Sequence, residues 1–279
     1  MESDVTRLSM IALAGALLAT PTQAEIPFAY EEALSTRYGE IHVVGQGFEF
    51  NLWHNQEPLP LPQDARWWAQ WSAEGEGAYD WVLAAHHHGG NACGGGYYLL
   101  RLDADGVDQS PEISDCDGRL LDIRTGDGWI ELDRKDRDIR VSLVTIRWQG
   151  ANYSETFHYA PPAPPAGAGA DVTRWIGVHG FEILQDASER ARFATVMAPA
   201  EMQDLAMRLS VGSGVRQEGD WVVATGCMAH SCGLEMGALG IRISDGAVAA
   251  IIRSQGLDDR VYGLGDDRTF RNAVAEGLQ

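Results

Sequence analysis

The run Pro161-Pro162-Ala163-Pro164-Pro165-Ala166-Gly167-Ala168-Gly169-Ala170 constrains this chain more than any other segment. Its prolines fix φ and withhold amide donors, and none of its side chains is large enough to anchor a core, so neither a helix interior nor a central strand can cross it. It reads as a semi-rigid linker over residues 161–171 between a domain at 25–160 and a domain at 172–279. The four cysteines divide around it, Cys93 and Cys116 before and Cys227 and Cys232 after. Pairing within each half is the simplest of the three connectivities open to them.

The two sides differ in hydrophobic period. Before the run, strand signals recur at Ile41–Val44, Phe48–Trp53, Trp81–Ala85, Tyr97–Leu102, Leu120–Arg124, Trp129–Leu132, Ile139–Trp148 and Tyr153–Tyr159. Asp105-Gly106 and Gly126-Asp127-Gly128 are tight-turn sequences between such segments, as antiparallel hairpins require. Only Tyr30–Arg37 hints at a helix, and Trp67, Trp68 and Trp71 are expected to pack on a sheet face. The first domain is therefore expected to be mostly β and antiparallel. After the run, Asp186 with Glu189 makes a D-x-x-E helix start, followed by Phe193, Val196 and Met197 at helical spacing. A second helix is expected from Pro199 to Leu209, with Met202, Leu205, Ala206 and Leu209 on one stripe. Strands return at Trp221–Ala224, at Ala238–Ile243 and, past Asp245-Gly246, at Val248–Arg253. The second domain is expected to be α+β with an antiparallel sheet.

Residues 1–24 read as a secretory signal peptide: an unbroken apolar run from Met10 to Ala19, then a breaker and small residues ending at Ala24. Ten helical residues rise about 15 Å, half the hydrocarbon thickness of a bilayer, so a membrane span is not expected here or elsewhere. Export favours disulfides over thiolate metal sites for the cysteines. With 21 basic and 40 acidic residues the formal charge is -19, which repels a phosphate backbone, so nucleic acid is not an expected partner. The charge suits a basic partner or simple solubility, and a homodimer stays open.

Chemistry concentrates in Cys227-Met228-Ala229-His230-Ser231-Cys232, bracketed by Gly226 and Gly233 and flanked by strands. A bond between the two cysteines would close a small ring and hold His230 outward. The residues alone leave three uses open: a staple for a hairpin, a redox pair, or a Cys/His metal site that lacks a second ligand pair in this half. The segment from Trp221 through this ring, then Met236 and the Asp245-Gly246 hairpin to Ile252, resembles the inhibitor of vertebrate lysozyme family, Ivy, over roughly residues 180–279. The hallmark of that family is a disulfide-closed C-K-P-H-D-C loop. The resemblance implies an antiparallel sheet flanked by helices, a Cys227–Cys232 bond, a noncatalytic periplasmic protein, and a histidine, here His230, entering the cleft of a c-type lysozyme or related muramidase between its two catalytic carboxyl groups. Met228 stands where the family has Lys, Ala229 where it has Pro, and Ser231 where it has Asp. The first domain lies outside this resemblance and is only weakly similar to an uncharacterised exported β-rich bacterial domain.

Two further strings hold candidate residues. On a strand, His86 and His88 would share a face and could bind a metal with a third ligand such as His42 or His54; a polar strand end before the Gly-rich loop at 89–96 explains them equally well. Asp133, Asp136 and Asp138 around Lys135 read as a solvated turn rather than a cation site. No G-x-S-x-G or H-E-x-x-H is present, so no enzyme and no cofactor is expected. The rival to a lysozyme-binding protein is a periplasmic structural or adaptor protein that keeps the fold without inhibition; a metal-dependent periplasmic protein using His86 and His88 comes third.

Overall fold

Turn chemistry and apolar runs lay out the first half as two sheets. The computed structural model of the chain describes residues 33–46, 49–62, 65–87, 95–114 and 120–278. A nine-stranded sheet takes β1 (Ala33–Thr36), β2 (Gly39–Gln46), β3 (Glu49–His54), β4 (Glu57–Pro58), β5 (Arg66–Glu74), β6 (Tyr79–His87), β7 (Gly95–Asp103), β8 (Gly106–Gln109) and β9 (Ile113–Ser114). A four-stranded meander follows, β10 (Leu120–Gly126), β11 (Trp129–Arg134), β12 (Val141–Gln149) and β13 (Asn152–Tyr159). Pairing is antiparallel except where β3 touches β5, with Phe50 opposite Arg66. The two predicted tight turns close β7–β8 and β10–β11.

Strands β6 and β7 are buried on both faces, which is why their sequences run apolar without alternation. One face carries Trp81, Leu83, Ala85 and Leu99 onto Ile130, Leu132, Val144 and Ile146 of the meander. The other carries Val82, Ala84 and Leu100 onto Leu34, Ile41, Leu52 and Trp67. The helix expected at Tyr30–Arg37 is corrected for its described part: Ala33–Thr36 is strand β1, with Leu34 opposite Ile41 and Thr36 opposite Gly39. Gly39, at a φ of 130°, lets the chain reverse at once, and cross-strand pairing outweighs a short amphipathic pattern. Trp67 and Trp71 are themselves in strand β5, Trp67 packing in the core on one sheet face and Trp71 against the core shared with the meander.

The second half is α+β. Helices α1 (Ala170–Thr173), α2 (Gly180–Gln185), α3 (Ala187–Phe193) and α4 (Pro199–Arg208) precede a six-stranded sheet of β14 (Val211–Gly212), β15 (Arg216–Glu218), β16 (Trp221–Cys227), β17 (Glu235–Arg242), β18 (Val248–Ser254) and β19 (Arg260–Gly263), and α5 (Arg268–Val274) and a short 3-10 helix at Glu276–Leu278 follow it. The order is β14-β16-β17-β18-β19, with β15 also on β16. Helices cover both faces: Ile183, Phe193, Leu205 and Leu209 pack on Val222, Ala224, Leu239 and Ile241, while Phe270 and Val274 pack on Trp221, Val223 and Ile251. Helix α4 begins at the expected proline and buries the expected stripe. Asp186 caps α3, its carboxylate accepting from the amides of Ser188 and Glu189 at 2.8 and 3.0 Å. Glu189 does not complete a capping box. Its carboxylate is buried, accepting from Arg192 Nε at 2.7 Å, Trp175 Nε1 at 2.9 Å and Arg174 Nη2 at 3.2 Å.

The proline run is held to the second half by backbone bonds. The amides of Ala166 and Gly169 donate to Ser188 O and Ile243 O at 3.2 and 2.8 Å, and Arg192 Nη2 donates to Gly167 O at 2.5 Å. The β11–β12 turn also crosses over. Ile139, 2% exposed, sits in the core formed by α2, α3 and α4, its amide on Gln203 Oε1 at 3.1 Å and its carbonyl on Arg190 Nη1 at 2.5 Å. Gln185 Nε2 donates to Asp136 O at 2.7 Å. The turn expected to be solvated is thus a half-buried contact, and its acids are paired: Asp133 with Arg124, Asp136 with Arg134, Asp138 with Arg140. Among the described residues no helix is long and apolar enough to cross a membrane.

Candidate functional site

The loop between β16 and β17 is built on a register that brings small residues opposite each other. Gly226 pairs with Gly237 and Cys227 with Met236. A Cβ on Gly226 would lie 2.7 Å from Val211 O, and one on Gly237 would lie 2.9 Å from Cβ of Arg208, so this glycine pair is what lets the end of α4 rest on the base of the loop. Arg208, 5% exposed, then holds both neighbouring strands: it pairs with Glu235 at the start of β17 and donates from Nη1 to Arg253 O at 2.6 Å and from Nη2 to Ser254 Oγ at 3.1 Å on β18. Asp204 steadies it from one helical turn back, accepting from Nε at 2.9 Å.

Cys227 and Cys232 form a disulfide with their Cα atoms 4.9 Å apart. Inside the ring the amide of Ser231 donates to Met228 O at 2.9 Å, closing a tight turn over Met228–Ser231. Beyond it, the amides of Leu234 and Glu235 both reach Ser231 O at 2.9 Å, and Met228 N reaches Glu235 O at 2.9 Å. His230 is the third residue of the turn. Its φ is 64° and its side chain is exposed. The left-handed region costs a side-chain-bearing residue about 1–3 kcal/mol, and glycine would occupy it freely. At the second position, Ala229 occupies the place where proline presets the φ of such turns.

The other sequence candidates are placed differently. The Cys93–Cys116 pair, His88 and the signal segment lie outside the described residues. His86 is buried with its ring centroid 4.7 Å from that of Trp67 and its Nε2 3.1 Å from Glu112 Oε1, while His54 Nε2 lies 2.9 Å from Tyr38 O. Among the described residues no group of three or more His, Cys, Asp and Glu side chains is placed to hold a metal ion. A cleft of about 980 Å³ at the junction of the two halves is lined by Ile139, Tyr159, Pro162, Ala191 and Met202. Its two arginines are engaged, Arg140 with Asp138 and Arg190 with three backbone carbonyls. The disulfide loop, by contrast, lies at the surface, with His230 and Cys232 exposed. Sequence reasoning found it from the two cysteines and the histidine, but missed Arg208 and Glu235, whose only local signal is the Asp204–Arg208 spacing of four.

Residues 189–263 match the family model of the inhibitor of vertebrate lysozyme (Ivy). The C-terminal region is Ivy-like. The match begins at buried Glu189, contains the whole disulfide loop and ends with β19, so it spans the elements that hold His230. The family is one of inhibitors. No curated protein matches the chain. Among solved structures, the subtype N10 neuraminidase-like protein of A/little yellow-shouldered bat is 9% identical, with a TM-score of 0.31 over 80% of this chain and 75% of that one. The subtype N11 neuraminidase-like protein of A/flat-faced bat (H18N11) is 8% identical, with a TM-score of 0.31 over 83% and 69%. Likenesses at that score bear on neither fold nor activity.

Proposed function

We propose that the protein is an exported, periplasmic lysozyme-binding protein that inhibits by presenting His230 of the Cys227–Cys232 loop to the active-site cleft of a c-type lysozyme or related muramidase. The observation that carries this reading is the conformation of His230: an exposed side chain held at a φ of 64° in a disulfide-closed turn, where a glycine would serve the backbone better. Strain kept at an exposed tip points to use of the side chain. Retaining glycosidases hold one protonated and one ionised carboxyl group about 5–5.5 Å apart, and a neutral imidazole, with one donor and one acceptor nitrogen, can bond to both. The ring and the Arg208 brace reduce what ordering the loop costs on binding. The acidic surface implied by a formal charge of -19 would steer the protein toward a basic enzyme.

The test is turnover of a c-type lysozyme in the presence of the wild-type protein and His230→Gly. Each hydrogen bond to a charged partner contributes about 1.5–3 kcal/mol, so inhibition by the variant should weaken at least tenfold while its fold is kept. Equal inhibition by both proteins removes the His230 mechanism. Absence of inhibition by wild type at micromolar concentration favours the adaptor reading, to which Met228, Ala229 and Ser231 in place of the family's Lys, Pro and Asp lend support.

A further inference from the structure

Strand β18 ends beside the disulfide loop, so the β16–β17 and β18–β19 connections emerge at the same end of the sheet, and the amide of Gln255 donates to Leu234 O at 2.7 Å to join them. Both connections expose a leucine there. Leu234 is 45% exposed and Leu257 is 73% exposed. Neither is on a loose segment. Leu257 N donates to Ser254 O at 3.1 Å across a turn in which Gly256 has a φ of 78°, and Leu234 N is bonded to Ser231 O inside the histidine loop. The roots of both connections share one set of partners: Arg208 bonds Ser254 and Glu235, Ser254 Oγ donates to Glu235 Oε2 at 2.8 Å, and Arg253 grips Asp259 with two bonds of 2.9 Å. Arg253 thereby holds the Asp259 carboxyl below the usual carboxylate range.

We propose that Leu257, with Leu234 at the same end of the sheet, is a second anchor of the lysozyme-binding face, seating on the partner's surface when His230 enters its cleft. The inference rests on the lysozyme-binding reading above. A side chain three-quarters exposed at the tip of a tight turn keeps most of its apolar surface in water, and evicting that water on a partner's surface is favourable. Gln255 and Arg208 tie the turn to the root of the histidine loop, so both tips are offered at the same end of the sheet. Asp258, exposed next to Leu257, gives the same tip a charge suited to a basic enzyme rather than to a second copy of this acidic chain.

Binding to a c-type lysozyme is measured by titration calorimetry for the full-length mature protein, Leu257→Ser, Leu257→Met and His230→Gly, with circular dichroism and sedimentation of each free protein. Leu257→Ser is expected to bind about tenfold more weakly with an unchanged fold, and Leu257→Met to bind as wild type, because Met restores the apolar area. If His230→Gly weakens binding and Leu257→Ser does not, the second anchor is wrong and the lysozyme reading stands. If wild type does not bind, both fall. If Leu257→Ser instead changes the sedimentation of the free protein and leaves lysozyme binding intact, the leucine serves self-association and the proposal is overturned.

Discussion

The β17–β18 turn puts Gly246 at a φ of 72°, and the β16–β17 loop puts His230 at a φ of 64°. The backbone demand is nearly the same, but the surroundings are opposite. Gly246 has no room for a side chain, because a Cβ there would press on Arg192 Nη1, which donates to Gly246 O at 2.9 Å. Its neighbour Asp245 is tied to Arg242 by bonds of 2.9 and 2.6 Å. That turn is glued down by its own protein. At His230 the ring is closed by one disulfide and one turn bond and is tied at its base to Leu234 and Glu235 through the backbone, while the imidazole is exposed to water. A turn that only has to reverse the chain uses glycine and neighbours; a turn that carries a histidine at the same angle, with a covalent clamp in place of neighbours, is shaped for something outside the molecule.

The comparison can be broken from the anchored side first. Glu189→Ala leaves Arg192 buried without its carboxylate and loosens the grip on Gly246, so unfolding free energy should fall by about 3–5 kcal/mol in denaturant titrations. A loss under 1 kcal/mol would mean that the anchoring is incidental. Gly246→Ala and His230→Gly then sharpen the contrast in one experiment. The first forces a side chain into a left-handed, filled position and should cost about 1–3 kcal/mol; the second relieves strain and should stay within about 0.5 kcal/mol of wild type. Equal losses would erase the distinction.

Smaller effects follow. Ala229→Pro should raise stability by about 0.4–1 kcal/mol by presetting the second residue of the turn, and thermal melts that go down instead would mean the backbone at Ala229 does not suit proline. The pairing with Arg242 and a hydrogen bond donated by the backbone amide of Ala247 pull the Asp245 carboxyl down to about 2. Its folded pKa lies below the unfolded value, so the stabilisation is complete above about pH 4 and is lost as pH falls through about 2. Carbon NMR titration of Asp245 should show that midpoint, and Arg242→Gln should move it up toward the ordinary carboxylate range. An unmoved midpoint would remove Arg242 as the cause.

What could be read in the sequence was what local physics decides. The start of α4 follows from Pro199, the cap of α3 from Asp186, the β10–β11 reversal from Gly126-Asp127-Gly128, and the disulfide loop from two cysteines five positions apart. Contacts between distant residues left no such mark. Glu189 has the spacing of a capping partner, yet Trp175, Arg174 and Arg192 draw its carboxylate into the core. Ala33–Thr36 joins β2 because Leu34 meets Ile41, a preference that overrides its short helical pattern. Arg208 looks like any surface arginine of an amphipathic helix until the Gly226–Gly237 pair brings strands β17 and β18 beneath it. Strand β19 and helix α5 are short and weakly patterned, and the sequence carries no clear signal for either.

Ile139 makes the first half depend on the second for cover. Chain synthesis delivers the meander with this isoleucine at its β11–β12 turn some dozens of residues ahead of α2, α3 and α4, which are to enclose it. Without those helices Ile139 would face water, an apolar point of the early half that the late half covers. A chain that stops after Tyr159 keeps that point bare for any passing surface, and a chain that starts at Ala170 has a hole where a borrowed side chain belongs. The later half closes over the earlier one as a lid closes over a peg, and each is unfinished without the other.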